Sequence, residues 1–189
     1  HFGGEEQRQA AMLNRVGMET DLLESSIKLV TSMLEKSDKL LLSMMPKAVI
    51  KCLLAGHKYI ADEYACVTVA QADIVGFTKL SAAVSPMKLV EGMNKLYSVF
   101  DHLTEVHKVF KMETVGDAYI VIGGCPDSIP NHEQAVLKFA IDVISAAKVM
   151  RDIFGPEHEV DVRVGIHTGP VVAGVVGYHN PRYHVFGET

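Results

Sequence analysis

Two aspartates carry the first chemical hint in this 189-residue sequence. Asp73 stands in ADIVGFT, and Asp117 stands forty-four positions later in KMETVGDAYIVIGG. Either one alone reads as a turn or cap residue. Side by side they would repel, and one would have its pKa raised unless a cation lay between them. Oxygen donors select hard ions such as Mg²⁺ or Mn²⁺, and two carboxylates leave room in the shell for phosphate oxygens. Gly76 follows closely, and glycine lets a loop backbone approach a phosphate with its N–H groups donating. The chemistry this pattern suits is two-metal phosphoryl transfer, one ion activating the attacking oxygen and the other neutralising a triphosphate.

Whether the aspartates meet depends on the elements between them. VTVAQA reads as a strand from residue 67, followed by the loop DIVGFT. Ser85 and Pro86 suit N-cap and first-turn positions of a helix running to about His107. VFKMETV and AYIVIGG flank a Gly116-Asp117 turn, the signal of a hairpin. Asn131 and Gln134 have capping-box spacing for a helix to about Phe154. VDVRVGI is a further strand, and PVVAGVVG a shorter, glycine-broken one. The order is β-α-β-β-α-β plus one strand, which predicts an α+β, ferredoxin-like fold. There the first strand lies between the third and fourth, antiparallel to the third. The end of VTVAQA then meets the start of AYIVIGG, and Asp73 meets Asp117.

Ahead of this domain, steps of three and four from Leu13 give Val16, Thr20, Leu23, Ile27, Val30, Leu34, Ser37, Leu41 and Met44. This seam fits a parallel two-stranded coiled coil, the alternative being a long helix folded back on its own domain. Pro46 ends or kinks it. Hydrophobic residues at 48% support a real core, and the net charge of −5 argues against non-specific nucleic-acid binding. Cys52, Cys66 and Cys125 are odd in number and lack CxxC spacing, so they read as reduced thiols rather than a disulfide frame or zinc site. No apolar run has the length of a membrane span. The expected location is cytoplasmic, with a membrane-anchored parent chain allowed.

DIVGFT, KMETVGDAY, RVGIHTGPVVAGVVG and PRYHVFGET together resemble the catalytic domain of class III nucleotidyl cyclases. The helix running into SDKLLLSMMPKAV resembles the signalling helix that precedes it in guanylyl cyclases. The resemblance implies a homodimer or heterodimer with nucleotide sites at the interface of two catalytic domains. By motif, Asp73 and Asp117, with the backbone carbonyl of Ile74, would hold two Mg²⁺ or Mn²⁺ ions. The amides of Gly76, Phe77 and Thr78 would face the phosphates, and Arg163 would contact the triphosphate. The nucleotide's 3′-hydroxyl would attack its own α-phosphate, releasing pyrophosphate. Glu113 matches the base-reading glutamate of guanylyl cyclases. A carboxylate accepts from guanine N1–H and the 2-amino group, whereas adenine offers no N1 donor. The competing reading pairs Glu113 with Lys111, because strand alternation puts both on one face.

The sequence also departs from the family pattern. His184 occupies the second base-reading position, where imidazole can donate to guanine O6 or accept from the adenine amino group. GTP is therefore the leading substrate and ATP the alternative. Gln71 stands where the family prefers phenylalanine and needs a partner or an interface. The sequence stops at FGET, before the family's asparagine, arginine and lysine that serve the transition state, so this stretch by itself is expected to be inactive. A non-catalytic, regulatory cyclase-like subunit is the reading from another class. The expected layout is an extraneous leader over 1–7, a signalling helix over 8–46, a linker over 47–66 and the catalytic domain over 67–189. An upstream sensor is implied in the parent chain.

Overall fold

A computed structural model describes residues 3–57, 59–177 and 179–189. The chain divides into two compact units, His1–Gly56 and His57–Thr189.

The first unit is helical. Helix α1 (Gly3–Met44) runs for 42 residues, a length of about 63 Å at 1.5 Å per residue. It begins inside the stretch expected to be extraneous; His1 and Phe2 lie outside the described residues. The apolar seam residues Leu13, Val16, Leu23, Ile27, Val30, Leu34, Leu41 and Met44 are all exposed. Pro46 ends the run by serving as N-cap of a second helix, α2 (Lys47–Leu54), where its missing N–H costs nothing. The expected linker therefore contains a helix.

The second unit holds strand β1 (Ala61–Ile74), helices α3 (Phe77–Ala83) and α4 (Pro86–His107), the hairpin β2 (Phe110–Val115) and β3 (Ala118–Gly123), helix α5 (His132–Val149), and strands β4 (Val162–Val176) and β5 (Arg182–Phe186). The sheet order is β2-β3-β1-β4-β5. β1 is central and antiparallel to both β3 and β4, as the ferredoxin-like reading requires. Helices α4 and α5 cover one face. Leu96 and Phe100, four apart, and Val136, Phe139 and Val143, at three- and four-residue steps, meet Ala70, Ala72, Ile74, Tyr119 and Val121 of the sheet. Gly92 lets Phe154 pack onto α4; an added Cβ would lie 2.2 Å from the Phe154 ring.

Four local expectations are corrected. β1 begins at Ala61, six residues before the apolar run, because Ala61–Tyr64 pair with Val171–Gly174. That segment carries exposed Asp62 and Glu63 and shows no hydrophobic signal. β4 is one strand rather than two. Pro170, which lacks an N–H for the ladder, falls opposite a bulge at residues 65–66 of β1, where the register shifts between Tyr64↔Val171 and Val67↔Gly169. The expected loop after Asp73 shrinks to Val75–Gly76, so that Phe77 and Thr78 open α3. Helix α5 stops at Val149, and Asn131 takes a left-handed φ of 56° with no side-chain cap bond, so the capping box does not form. The apolar spacing past Val149 reflects turns that insert Phe154 into the core.

The sheet is strongly curled. Flat, the edge strands β2 and β5 would lie about 19 Å apart at 4.8 Å per strand. Instead the rings of Phe110 (β2) and Tyr183 (β5) are 6.3 Å apart. Buried Cys125 and Tyr183 fill the fold, with Sγ and the hydroxyl 3.4 Å apart.

Candidate functional site

The β1 register carries Asp73 to the end of the central strand, and the β2–β3 turn carries Asp117 beside it. Gly116 supplies the positive φ, 62°, that this turn requires. The two carboxyl groups interact with each other, and their pKa values split. Asp73 is held below its ordinary value, first by the hydrogen bond with Asp117 and then by Arg163. Asp117 is pushed above its ordinary value, by burial first and by Asp73 second, while the backbone N–H groups of Asp117 and Ile74 offset this in part. This is the behaviour of two like charges confined together.

Arg163 is the register partner of Asp73 on β4. Its Nε donates to Asp73 Oδ2 at 2.8 Å, and a second guanidinium nitrogen donates to the same oxygen. The arginine side chain is otherwise solvent-exposed. Gly76 caps α3 in a left-handed conformation, φ 72°, with no side-chain bond to the first-turn amides, the backbone groups that lack intrahelical partners in any helix. Ile74 turns its side chain into the core.

Tyr97 is a member of the site that sequence reasoning missed. Its hydroxyl oxygen is buried with no hydrogen-bond partner. Burial, Asp117 and Asp73, in that order, push its pKa up. The available signal was the run Met93, Leu96, Tyr97 and Phe100, which puts a hydroxyl on the buried face of α4 where it needs a partner. An orphaned hydroxyl beside two crowded carboxylates, all oxygen donors, fits a site for a hard divalent ion and its water.

The three charges of the KMETVGD stretch separate. A bulge at Met112 shifts the register from Lys111↔Val121 to Glu113↔Ile120. That extra residue breaks the alternation, so Lys111 and Glu113 occupy opposite faces and the anticipated pair does not form. Lys111 Nζ donates to Asp101 Oδ1 at 2.6 Å and lies 4.9 Å from the centre of the Tyr119 ring. The buried Tyr119 donates its hydroxyl proton to the same Asp101 oxygen at 2.5 Å. Glu113 shares the helix-free face with Ile120 and, through β3, with exposed Gln71. Gln71 therefore needs no core partner.

The curl of the sheet brings His184 of β5 to Glu113 of β2, Nδ1 to Oε1 3.8 Å. The separation is too long for a hydrogen bond, so both groups keep their capacity for a ligand. Their side chains are about one-third exposed, at 30% for His184 and 36% for Glu113. His107, at the end of α4, is held by Asp142, Nε2 to Oδ2 2.7 Å. Among the described residues, no helix is long and apolar enough to cross a membrane.

Comparison with known proteins gives this geometry a family. Residues 59–189 match the model of the adenylate and guanylate cyclase catalytic domain. Over 145 residues the chain is 47% identical to the guanylate cyclase soluble subunit beta-2 of Rattus norvegicus, covering 76% of this chain and 21% of that protein. It is 40% identical over 144 residues to the receptor-type guanylate cyclase gcy-28 of Caenorhabditis elegans, covering 76% and 11%. The chain thus spans 21% and 11% of the length of these two relatives. Among solved structures, the guanylate cyclase domain of RhGC from Catenaria anguillulae in complex with GTP aligns with a TM-score of 0.65 at 36% identity, over 68% of this chain and 69% of that one.

Proposed function

The chain belongs to the adenylate and guanylate cyclase catalytic-domain family, and from that premise we propose that it converts GTP to 3′,5′-cyclic GMP and pyrophosphate. The observation that carries the reading is the contact of Asp73 with Asp117 at the end of the central strand. Asp73, Asp117 and the carbonyl of Ile74 would hold two Mg²⁺ or Mn²⁺ ions. When bound, such ions neutralise phosphate charge and lower the barrier to attack at phosphorus.

The remaining work falls to protein groups. The amides of Gly76, Phe77 and Thr78 orient the phosphates. Arg163, exposed and already beside Asp73, exchanges part of that contact for the triphosphate, a planar fork well suited to it. Glu113 accepts from guanine N1–H and the 2-amino group, and His184 donates to O6. The nucleotide's 3′-hydroxyl attacks its own α-phosphate and pyrophosphate leaves.

Two catalytic domains would build the sites at their shared interface. The exposed seam of α1 would pair with a second cyclase chain, identical or related, behind an upstream sensor. The solved relatives include a non-canonical dimeric guanylyl cyclase domain of the RhoGC fusion protein from Blastocladiella emersonii. The adenylyl alternative rests on His184, whose imidazole can accept from the adenine amino group. The deciding experiment supplies the full-length protein with GTP or ATP and Mn²⁺, and measures each cyclic nucleotide. Cyclic GMP in excess is expected. Preferential cyclic AMP would favour the adenylyl reading, and no turnover with either nucleotide would favour a regulatory subunit.

A further inference from the structure

We propose that Cys66, His132 and Glu133 form a zinc site where the β1 bulge meets the first turn of α5. Their ligand atoms lie within 4.8 Å of one another. Tetrahedral zinc, with bonds near 2.0–2.3 Å, needs ligand atoms about 3.4–3.7 Å apart. His132 Nε2 and Glu133 Oε1 are already 3.7 Å apart. Cys66 and Glu133 are exposed, so closing the remaining gap takes side-chain rotation rather than a change in the fold.

The imidazole is held in place before any ion arrives. Its Nδ1 lies 2.9 Å from the hydroxyl of Thr68, and that hydroxyl lies 2.8 Å from the hydroxyl of Thr168. Thr68 is 1% exposed. If Nδ1–H donates to Thr68 and Thr68 donates to Thr168, the chain of bonds fixes the tautomer with its lone pair on Nε2. Metal-binding histidines use this outer-shell arrangement. The ring also lies against Gly124, where an added Cβ would come 2.9 Å from His132 Cδ2. The absent side chain at Gly124 is what admits the imidazole.

The donor set selects the ion. One thiolate, one imidazole and one carboxylate suit a borderline-soft divalent ion, whereas Mg²⁺ prefers oxygen alone. Zinc with a thiolate and a carboxylate carries no net charge, which removes the penalty a bare cation would meet at the start of a helix. A water would complete the shell. No CxxC spacing announces this site, because the cysteine and the histidine are 66 positions apart and the curled sheet joins them. The seven residues from Cys66 to Asp73 span about 23 Å along the strand, so the site is separate from the aspartate pair.

The test uses cobalt as a coloured substitute for zinc. The reduced, chelator-treated 189-residue chain is titrated with Co²⁺ in excess Mg²⁺, which occupies oxygen-only sites. One equivalent should bind with a thiolate-to-cobalt charge-transfer band that Zn²⁺ bleaches. Cys66→Ser should abolish the band, Cys52→Ser should leave it intact, and Glu133→Gln should weaken binding at least tenfold. Zn²⁺ should also raise the Tm of the native chain but not of Cys66→Ser. Absence of the band in the native chain, or its persistence in Cys66→Ser, would overturn the proposal.

Discussion

Glu113 and His184 sit on the two edge strands of one five-stranded sheet, yet their side chains come within 3.8 Å of each other. Curling of the sheet onto its helix-free face makes neighbours of its two distant edges. Under the proposed reading, the aspartate pair would serve phosphoryl chemistry and this edge-to-edge meeting would read the base.

Replacing Glu113 tests that reading. A site built to hydrogen-bond a donor rejects the analogue lacking it by a large factor, because its buried acceptor is left unpaired. Glu113→Lys in the full-length protein should cut the preference for GTP over ATP by about 10²-fold or more. Side-by-side kcat/KM values for the two nucleotides measure it. An unchanged ratio would remove Glu113 from base recognition.

The split titration of the aspartates predicts a pH-dependent stability. Asp117, raised above its ordinary 3.8, contributes stability that is full below that value and lost as pH rises through its folded pKa. Asp73, lowered from 3.8, contributes stability present above that value and lost as pH falls through its folded pKa. Asp117→Asn should therefore raise the Tm of the metal-free chain at neutral pH, with the gain vanishing in strong acid. Mn²⁺ should raise the Tm of the native chain more than that of the variant. Calorimetric scans across the carboxylate range decide both points.

Asp101 is expected to matter for folding rather than chemistry. Its Oδ1 accepts from Lys111 and from the fully buried Tyr119. Asp101→Ala orphans the tyrosine hydroxyl, at a cost of about 1–3 kcal/mol. Tyr119→Phe in the same background should recover part of that loss. Urea denaturation of the two variants supplies the comparison, and additive losses would show that the pair is not coupled.

The long helix α1 carries its own test. An exposed a/d seam is unstable alone and gains stability by pairing. Ile27→Asp with Leu34→Asp should convert a dimer into a monomer in sedimentation equilibrium and lower the helical signal at 222 nm. If native and variant chains sediment alike, the seam is not a dimer contact.

Much of this fold was legible in local pattern. Helix α4 runs from Pro86 to His107 as its cap and its spacing announce, because Ser85 accepts from Lys88 N and Pro86 needs no N–H. The hairpin around Gly116 is equally local, since only its own residues must adopt the turn. Topology then brought Asp73 to Asp117 by a rule that needs only the order of elements. Other features depend on what lies across the sheet. The bulge at Met112, which puts Lys111 and Glu113 on opposite faces, leaves no mark in the alternation of side chains. The same holds for the bulge at residues 65–66 that accommodates Pro170, and for the early start of β1 at Ala61.

The sequence by itself determined the β-α-β-β-α-β order of the main elements and, through that order, the meeting of two acidic groups, because periodicity and turn chemistry act within a few residues. Only the tertiary structure decided that Glu113 faces His184, that Tyr97 buries an unmet hydroxyl beside the aspartates, and that Cys66 reaches His132. Those contacts arise from strand register and sheet curvature, which are set by pairing between segments far apart in the chain.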